Sequence, residues 1–288
     1  MIQARNKLSQ EELSEAKKLI NCCQAYDETY RDPYLSNMLN FDTNMPAFFL
    51  YYEKGELVGL LTVYADDPDV EVAILVHPNH RCQGIARALY RSFEKETASY
   101  PIESVTFQTE RIFLERHPDF ASNWGLVEDE ETETWLGKDR RPYPLANVSN
   151  LEVLLADRSY QDQISQLKFQ AFSEDHESRE VVDRYVAKAL KDPESLLYIL
   201  LKNGQVIGTC TVDLSSNTNY LFGLAIAELE RGKGYGTYLA KSLINQLIEQ
   251  NDKAFQIAVE DSNLGAKRLY EKIGFVKQTQ VVYLKAKV

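Results

Sequence analysis

A glycine-rich turn, Arg231-Gly232-Lys233-Gly234-Tyr235-Gly236, lies at the centre of the second half of this 288-residue sequence. It follows an apolar run from Leu221 to Ala227 and precedes apolar residues at helical spacing, so it joins a strand to a helix. Glycines allow the backbone conformations that such a turn needs, and the free N–H groups of the first helical turn can bind an anion. We therefore expect a phosphate site here, with Arg231 and Lys233 as countercharges.

The first half of the chain contains a related turn, Arg81-Cys82-Gln83-Gly84-Ile85-Ala86. Arg81 precedes Arg231 by 150 positions, and Gly84 precedes Gly234 by the same interval. A repeat of this period indicates duplicated domains rather than the short units of a solenoid. We predict domains at residues 1–140 and 151–288, joined by a polar linker at residues 141–150 that contains two prolines.

A second motif runs from Asn263 to Phe275 and has the form of a helix ended by Gly274. The turn and this helix together resemble motifs A and B of the GNAT N-acetyltransferases. The resemblance is strong from Leu151 to Val288 and looser from Ala4 to Lys138. It implies an α/β (α+β) fold class with two tandem GNAT-like acyl-CoA N-acyltransferase domains, each a mixed, mostly antiparallel sheet flanked by helices.

The resemblance also implies an activity. The expected reaction moves an acetyl group from the co-substrate acetyl-CoA to a primary amine of a small molecule, peptide or protein, by direct attack in a ternary complex. One alternative is a non-catalytic acyl-CoA sensor or scaffold. A less favoured alternative is aminoacyl transfer from charged tRNA, which would require a basic groove.

In the resembling family, the fourth and fifth strands diverge, and the pantetheine arm of acetyl-CoA pairs with the freed strand edge. The residues that the resemblance assigns to acetyl-CoA binding in the second domain are Leu224, Ala225, Ile226, Arg231, Gly232, Lys233, Gly234, Tyr235, Gly236, Asn263 and Ala266. The alternative set in the first domain is Ile74, Val76, Arg81, Gln83, Gly84, Ile85 and Ala86.

Three residues are candidates for proton transfer. The resemblance gives Tyr270 the role of protonating the departing thiolate of CoA. Glu260 is a candidate base, although Glu110 occupies the same place in the first half and a shared structural role is equally open. In the first domain Glu71 is either a general base or an outward-facing residue of an acidic strand.

The first domain departs from the second motif of the family. At an offset of 150, Asn263 corresponds to Phe113 and Tyr270 to Phe120, or to Ala121 if a one-residue gap is placed earlier. None of these side chains in the first half can donate a proton, so the first domain is the less complete copy and we expect the second to be the catalytic one.

The distribution of charge limits the classes of molecule that this protein can be expected to bind. The formal net charge is −11, with 25 acidic and 15 basic residues in positions 1–146 but 18 and 17 in positions 147–288. This balance argues against nucleic acid as a partner, because phosphate contacts need a basic patch. The oligomeric state stays open, with a homodimer as one option.

The expected compartment is the cytoplasm. The four cysteines form no disulfide framework or zinc-like spacing, and no apolar run approaches the roughly 20 residues that span a bilayer. We therefore expect neither a membrane segment nor a metal, since His77 and His80 lack a third ligand nearby in the sequence.

Local patterns predict further elements of the first half. A capping box at Ser9 and Glu12 begins a helix over residues 10–25. A second, irregular helical segment is expected from Pro33 to Asn40, before a hairpin turned at Lys54-Gly55.

Overall fold

The computed structural model describes residues 1–146, 148–172 and 179–287. The chain forms two compact units: the first contains Met1–Trp135 together with Gln278–Val288, and the second contains Leu136–Lys277. The end of the chain thus lies in the first unit, whereas the sequence repeat groups residues 151–288 as one domain. Asn147 of the expected linker lies outside the described residues.

The first unit is a mixed sheet flanked by helices. Its strands are β1 (Ile2–Arg5), β2 (Phe48–Glu53), β3 (Glu56–Tyr64), β4 (Asp69–Val76), β5 (Ser104–Glu110), β6 (Leu126–Lys138), which continues into the second unit, and β12 (Val276–Ala286), which enters from it. Its helices are α1 (Gln10–Asp27), α2 (Ile85–Thr97), α3 (Arg111–Arg116) and α4 (Phe120–Trp124). The strand order is β1-β2-β3-β4-β5-β12-β6.

Strand β12 joins the first unit through its pairing with β5. The two strands run antiparallel, with Val281 opposite Glu110 and Leu284 opposite Phe107. Val282 and Leu284 are fully buried and pack with Leu114. This ladder and its apolar contacts explain why the last strand belongs to the first unit.

The second unit repeats the same design. Its strands are β7 (Leu151–Leu155), β8 (Ser195–Lys202), β9 (Gln205–Asp213), β10 (Asn219–Ile226) and β11 (Phe255–Glu260), and its helices are α5 (Gln161–Phe172), α6 (Arg179–Ala189), α7 (Tyr235–Gln250) and α8 (Leu264–Lys272). The strand order is β11-β10-β9-β8-β7. In both units the fourth and fifth strands of the repeat are parallel and the other recorded pairs are antiparallel, which confirms the predicted mixed sheet.

Helix α2 shows how the sequence fixes the packing of the first unit. Ile85, Leu89 and Phe93 recur at helical spacing and are buried against the sheet. Gly59 of β3 permits this approach, because a Cβ at that position would lie 2.8 Å from Cγ2 of Ile85. The helix predicted over residues 10–25 is confirmed as α1, which begins with the capping box at Ser9.

The helical segment predicted from Pro33 to Asn40 is wrong. No α-helix or 3-10 helix occurs at these residues. The Asn40 carboxamide accepts a hydrogen bond from the Ala65 N–H at 3.0 Å, and the Asn37 carboxamide donates to the Thr43 carbonyl at 2.8 Å. Such side-chain bonds offer the backbone an alternative to helical hydrogen bonding.

The core of the second unit contains a buried lysine. Lys168 of α5 is 5% exposed, and its Nζ atom lies 3.4 Å from Oγ1 of Thr211. The ammonium group also lies over the rings of Phe172 and Tyr185, at 5.8 and 5.6 Å from their centroids. Burial lowers the pKa of Lys168 to about 8.

The Lys168→Met variant should be more stable than the wild type at pH 7, by up to about 3 kcal/mol, because it removes a buried charge. The folded-state pKa lies below that of the unfolded chain, so the unfolded state binds more protons between pH 8 and about 10.4. Wild-type stability therefore rises with pH across this window, and the difference from the variant narrows.

Urea unfolding followed by far-UV circular dichroism at pH 7 and pH 10 measures this difference. The exposed Lys191→Met change is the matched control and should leave stability nearly unchanged at both pH values. Equal urea midpoints of unfolding for Lys168→Met and the wild type at both pH values would contradict the prediction that the buried charge of Lys168 destabilises the fold.

Candidate functional site

A cleft opens in the first unit where two parallel strands separate. Strands β4 and β5 pair from Asp69 and Ser104 up to Val72 and Phe107, and their ladder ends there. Beyond that point β4 follows β3 as far as Val76, while β5 follows β12. A cavity of about 700 Å³ lies in this region, lined by residues 72–76 of β4 and 107–110 of β5. The inner edge of β4 can therefore pair with an extended ligand.

The predicted glycine-rich turn of the first half borders this cleft. Gly84 has a φ of +82° and forms the N-cap of α2 without any side-chain hydrogen bond to the helix. The turn and the start of α2 line the cleft through Arg81, Cys82, Gly84, Ile85 and Ala86. A Cβ at Gly84 would meet no atom within 4 Å, so the space above this helix N-terminus is open. The site has the geometry of an anion cradle.

The side chain of Arg81 has a structural position at the edge of the cleft. Its guanidinium donates from Nη1 and Nη2 to both carboxylate oxygens of Asp27, at 2.7 and 2.6 Å, and from Nε to the Val76 carbonyl at 3.0 Å. The hydrogen bonds that Arg81 donates to Asp27 raise the pKa of Arg81. Arg81 thus ties the end of β4 to the end of α1. Gln83, another predicted ligand, donates to the Asn79 carbonyl at 3.5 Å.

Glu71 lies beside the cleft on β4 and is partly buried. The Gln108 carboxamide, which lines the cleft, donates a hydrogen bond to its carboxylate. Burial raises the pKa of Glu71 to about 7, nearby Arg31 opposes that rise, and Glu133 adds to it. A carboxyl group with this pKa is suited to accept a proton near neutral pH.

An aromatic wall forms one side of the cleft. It lies where the first domain departs from the second family motif. Phe113, His117, Phe120 and Trp124 all line the cavity. The Phe113 ring lies 4.6 Å from the His117 ring and 5.3 Å from the Phe120 ring, centroid to centroid. The sequence therefore replaces a polar motif with an apolar surface at this side of the cleft.

The corresponding strands of the second unit also separate, and a Cβ at Gly234 would meet no atom within 4 Å, as at Gly84. The ladder between β10 and β11 ends at Leu221 and Ile257, and β10 carries a bulge between Phe222 and Ala225. A Cβ at Gly236 would lie 3.0 Å from Leu269, 3.6 Å from Ile226 and 3.7 Å from Leu224. The predicted ligands Leu224, Ile226 and Gly236 therefore come together, packed against one another and against α8.

The two cations of the second turn, Arg231 and Lys233, contact groups of the same turn and of the end of β10. Arg231 donates from Nε to the Ile226 carbonyl at 3.1 Å. Lys233 donates to the Leu229 carbonyl at 2.7 Å and pairs with Glu230 at 3.0 Å. Gly232 and Gly234 have positive φ, as the turn requires. The countercharge expected from Lys233 is thus partly offset by a neighbouring carboxylate.

The two units carry opposite charges at equivalent places beside the turn. Glu230 pairs with Lys202 at 2.9 Å, and Tyr235 lies below the same ammonium group at 5.2 Å. In the first unit the equivalent contact joins His80 and Glu53 at 2.9 Å. Each contact contains one carboxylate, and the second unit sets lysine cations beside it, so the charge at this place does not favour the first turn over the second for an anionic ligand.

The second motif of the second unit forms as the sequence predicts. The Asn263 carboxamide caps α8 by accepting from the Ala266 N–H at 3.1 Å. Tyr270 is 6% exposed, its ring packs on Phe275 at 6.2 Å, and burial raises the pKa of its hydroxyl. Tyr270 thus starts as a neutral phenol in the core.

The two glutamates that share a place in the repeat have different surroundings. Glu260 is exposed and accepts a hydrogen bond from the Ser262 hydroxyl at 3.3 Å. Glu110 is 5% exposed and accepts hydrogen bonds from the backbone N–H groups of Tyr30 and Arg31 at 3.0 Å. Glu110 therefore anchors the segment that follows α1, and the two residues do not share one structural role.

Sequence reasoning missed three residues of this site: Asp27, Arg31 and Gln108. Gln108 had a detectable signal, because it alternates with Glu110 on a strand and must share its face. Asp27 and Arg31 lie near the end of a helix, where no spacing rule indicates contacts with Arg81 and Glu110, which are 54 and 79 residues further along the chain.

The described residues contain neither a cluster of metal-binding side chains nor a membrane-spanning helix. Across the described ranges, no three His, Cys, Asp or Glu side chains form a group that could hold a metal ion. His77 accepts from the Asn79 N–H within its own turn. In the same part of the chain, no helix combines the length and apolar character needed to cross a membrane.

Comparison with known proteins gives consistent matches. The model of the acetyltransferase (GNAT) family matches residues 13–137 and again residues 161–275. Mycothiol acetyltransferase of Clavibacter sepedonicus is 25% identical over 230 residues, which cover 76% of this chain and 73% of that protein.

Solved structures share the fold at low sequence identity. A GCN5-related N-acetyltransferase from Sphaerobacter thermophilus is 16% identical, with a TM-score of 0.70 over 99% of this chain and 94% of that one. A tandem GNAT protein from the clavulanic acid biosynthesis pathway is 16% identical, with a TM-score of 0.70 over 100% of this chain and 99% of that one. With the family model matching both halves, this chain belongs to the GNAT acetyltransferase family and contains two tandem GNAT domains.

Proposed function

We propose that this acetyltransferase binds acetyl-CoA in the cleft of the first unit and transfers the acetyl group to an amine. The observation that carries the proposal is the cavity of about 700 Å³ where β4 separates from β5 beside the N-terminus of α2. This assignment differs from the expectation that the second domain is the catalytic one. The second repeat stays the alternative site, because it keeps the β10 bulge, Asn263 and Tyr270.

The first unit fits the proposed ligand at both ends. The unpaired edge of Ala73–Val76 can exchange hydrogen bonds with the two amides of the pantetheine arm. The first-turn N–H groups of α2 would hold the pyrophosphate, and the small side chain of Ala86 leaves room beside them. The aromatic wall around Phe113 and Phe120 would cover the apolar parts of the arm.

In the proposed reaction, the nitrogen of the acceptor amine forms a bond to the acetyl carbonyl carbon. The bond from that carbon to the CoA sulfur breaks, and its electron pair leaves with the thiolate. Glu71 takes the proton that the amine must lose, and Gln108 holds the carboxylate in place. Positioning of the two substrates across one cleft would supply a further part of the acceleration. Tyr270 stays a predicted proton donor for the alternative site.

Substitution of the two equivalent glycines tests the location of the acetyl-CoA site. We expect Gly84→Asp to weaken acetyl-CoA binding by about tenfold or more, because a carboxylate would stand where the pyrophosphate binds. Gly234→Asp should leave the affinity nearly unchanged. Titration calorimetry with acetyl-CoA measures both affinities and the number of sites per chain.

Matched asparagine variants separate charge from backbone strain. Gly84→Asn and Gly234→Asn place a side chain of the same shape at the same positive φ, which asparagine tolerates as well as aspartate does. Loss of binding in Gly234→Asp, with retention in Gly84→Asp, would move the site to the second unit.

The pH dependence of acetyl transfer tests Glu71. Because its pKa is about 7, the basic form is depleted below that pH, and we expect the rate to fall as the pH drops through 7. Glu71→Gln should lower kcat by about 10²- to 10⁴-fold and remove this limb of the profile. The rate of amide formation should be measured by chromatography from pH 5.5 to 8.5.

The Asp67→Asn variant is the control, since Asp67 is an exposed carboxylate close to Glu71 in the acidic part of the first unit. It should keep the rate above pH 8 and the acidic limb of the profile, with that limb shifted only slightly to lower pH, because Asp67 is a minor cause of the raised pKa of Glu71. An unchanged kcat in Glu71→Gln would remove this residue from the mechanism.

A further inference from the structure

The cleft of the first unit is lined by four arginines, and one of them differs from the rest. Arg81 pairs with Asp27, Arg116 pairs with Glu28, and Arg87 donates to the Asn123 carbonyl. The fourth is Arg31, whose Nε atom is buried and has no hydrogen-bond partner. Within residues 1–146, 148–172 and 179–287, no carboxylate lies within ion-pair distance of the Arg31 guanidinium.

Contacts of both its backbone and its side chain nevertheless hold Arg31 in place. Its backbone N–H donates to the buried Glu110 carboxylate at 3.0 Å, and Tyr30 donates to the same group. Its guanidinium stacks over Trp135, with 5.4 Å from Cζ to the ring centroid. The residue therefore presents a fixed cation to the cleft, without the partner that a buried donor normally has.

The acidic groups around Arg31 act at longer range. Glu71, Glu110 and Tyr283 all respond to its charge. Asp66, Asp67 and Glu133 also lie near Glu71 on this side of the sheet. These groups keep the guanidinium in a negative environment but leave its Nε donor unused. A guanidinium in that state fits a planar anion, which it can bind through two parallel hydrogen bonds.

We propose that Arg31 binds a carboxylate of the acceptor, so that the acceptor is an amine that also carries a carboxylate, as an amino acid does. This assignment rests on the proposed function, because it places the acceptor amine near Glu71. Arg31 and Gln108, the hydrogen-bond partner of Glu71, line the same cleft. One acceptor can therefore present its amine to the base and its carboxylate to the cation.

Matched acceptor pairs test the proposal. Each pair consists of an amino acid and the amine that lacks only its carboxylate, such as phenylalanine with phenethylamine and lysine with cadaverine. The wild type should prefer the amino acid by at least about tenfold in kcat/KM, because a site built to bind a polar group discriminates against an analogue that lacks it. Acetylated products are quantified by mass spectrometry.

Variants of Arg31 test whether this residue causes the preference for the acceptor with a carboxylate. Arg31→Gln should raise KM for the amino acid and remove the preference. The preference is the ratio of kcat/KM within each pair at one pH, so the effect of Arg31 on the pKa of Glu71 cancels from it. Arg31→Lys should restore part of it, because lysine keeps the charge but not the fork of donors. Arg111→Gln is the control, since Arg111 pairs with Glu128 at the surface and should keep the wild-type preference.

A second measurement does not depend on turnover. Trp135 carries the Arg31 guanidinium on its ring, so binding of the amino acid should change tryptophan emission in the wild type but not in Arg31→Gln. Circular dichroism checks that each variant is folded. A wild type without the carboxylate preference, or an Arg31→Gln variant that retains it, would overturn the proposal.

The outcomes distinguish the proposed carboxylate site from the proposed acetyl transfer on which it rests. Acetylation of both members of each pair at equal rates leaves the proposed function intact and removes the carboxylate site. Absence of acetylation for every acceptor, although acetyl-CoA binds, overturns the amine-transfer function and the carboxylate site together.

Discussion

The separation of β4 and β5 is the constraint on which the first unit depends. Each strand keeps a partner on its outer edge, since β4 follows β3 to Val76 and β5 follows β12 to Glu110. Their inner edges lose the shared ladder after Val72 and Phe107, and unpaired backbone groups are costly unless water or a ligand binds them. The fold thus creates a site for an extended polar ligand by leaving one ladder unfinished, while the rest of the sheet keeps it rigid.

Duplication has given the two units one scaffold with different contents. A glycine lies in the third strand of each repeat, but Gly59 leaves room for Ile85 of α2, whereas Gly208 leaves room for Ile226 of β10. In the first unit the turn borders an open cavity and its arginine is bound to Asp27. In the second unit Leu224, Ile226 and Leu269 pack around the start of α7.

Sequence patterns predicted the elements whose causes are local. The strand, turn and helix around Gly84 and Gly234 follow from apolar periodicity and from glycine at positive φ. The pairing of β12 with β5 is not accessible in that way, because alternation indicates which face is buried but not which strand lies alongside. The helix predicted from Pro33 to Asn40 is wrong for a related reason, since a long-range hydrogen bond between Asn40 and Ala65 helps to set the conformation of this segment.

The same limit applies to the candidate site. The family resemblance makes Glu71 a candidate base, because some members carry a Glu in this region, but its surroundings come from β5 and from the segment after α1. Burial and the nearby Glu133 raise the pKa of Glu71, and Arg31 lowers it. These effects depend on distances between residues that are far apart in the chain, which no local pattern contains.

The opposition between Glu71 and Arg31 also links the two proposals physically. Arg31 is the nearby cation that lowers the pKa of Glu71. A carboxylate bound to the guanidinium would offset that charge, so the pKa of Glu71 would rise when the acceptor is in place. Glu71 would then hold a transferred proton more strongly in the complex than in the free protein. Acceptor binding and base strength would thus be coupled through one side chain, with no movement of the strands.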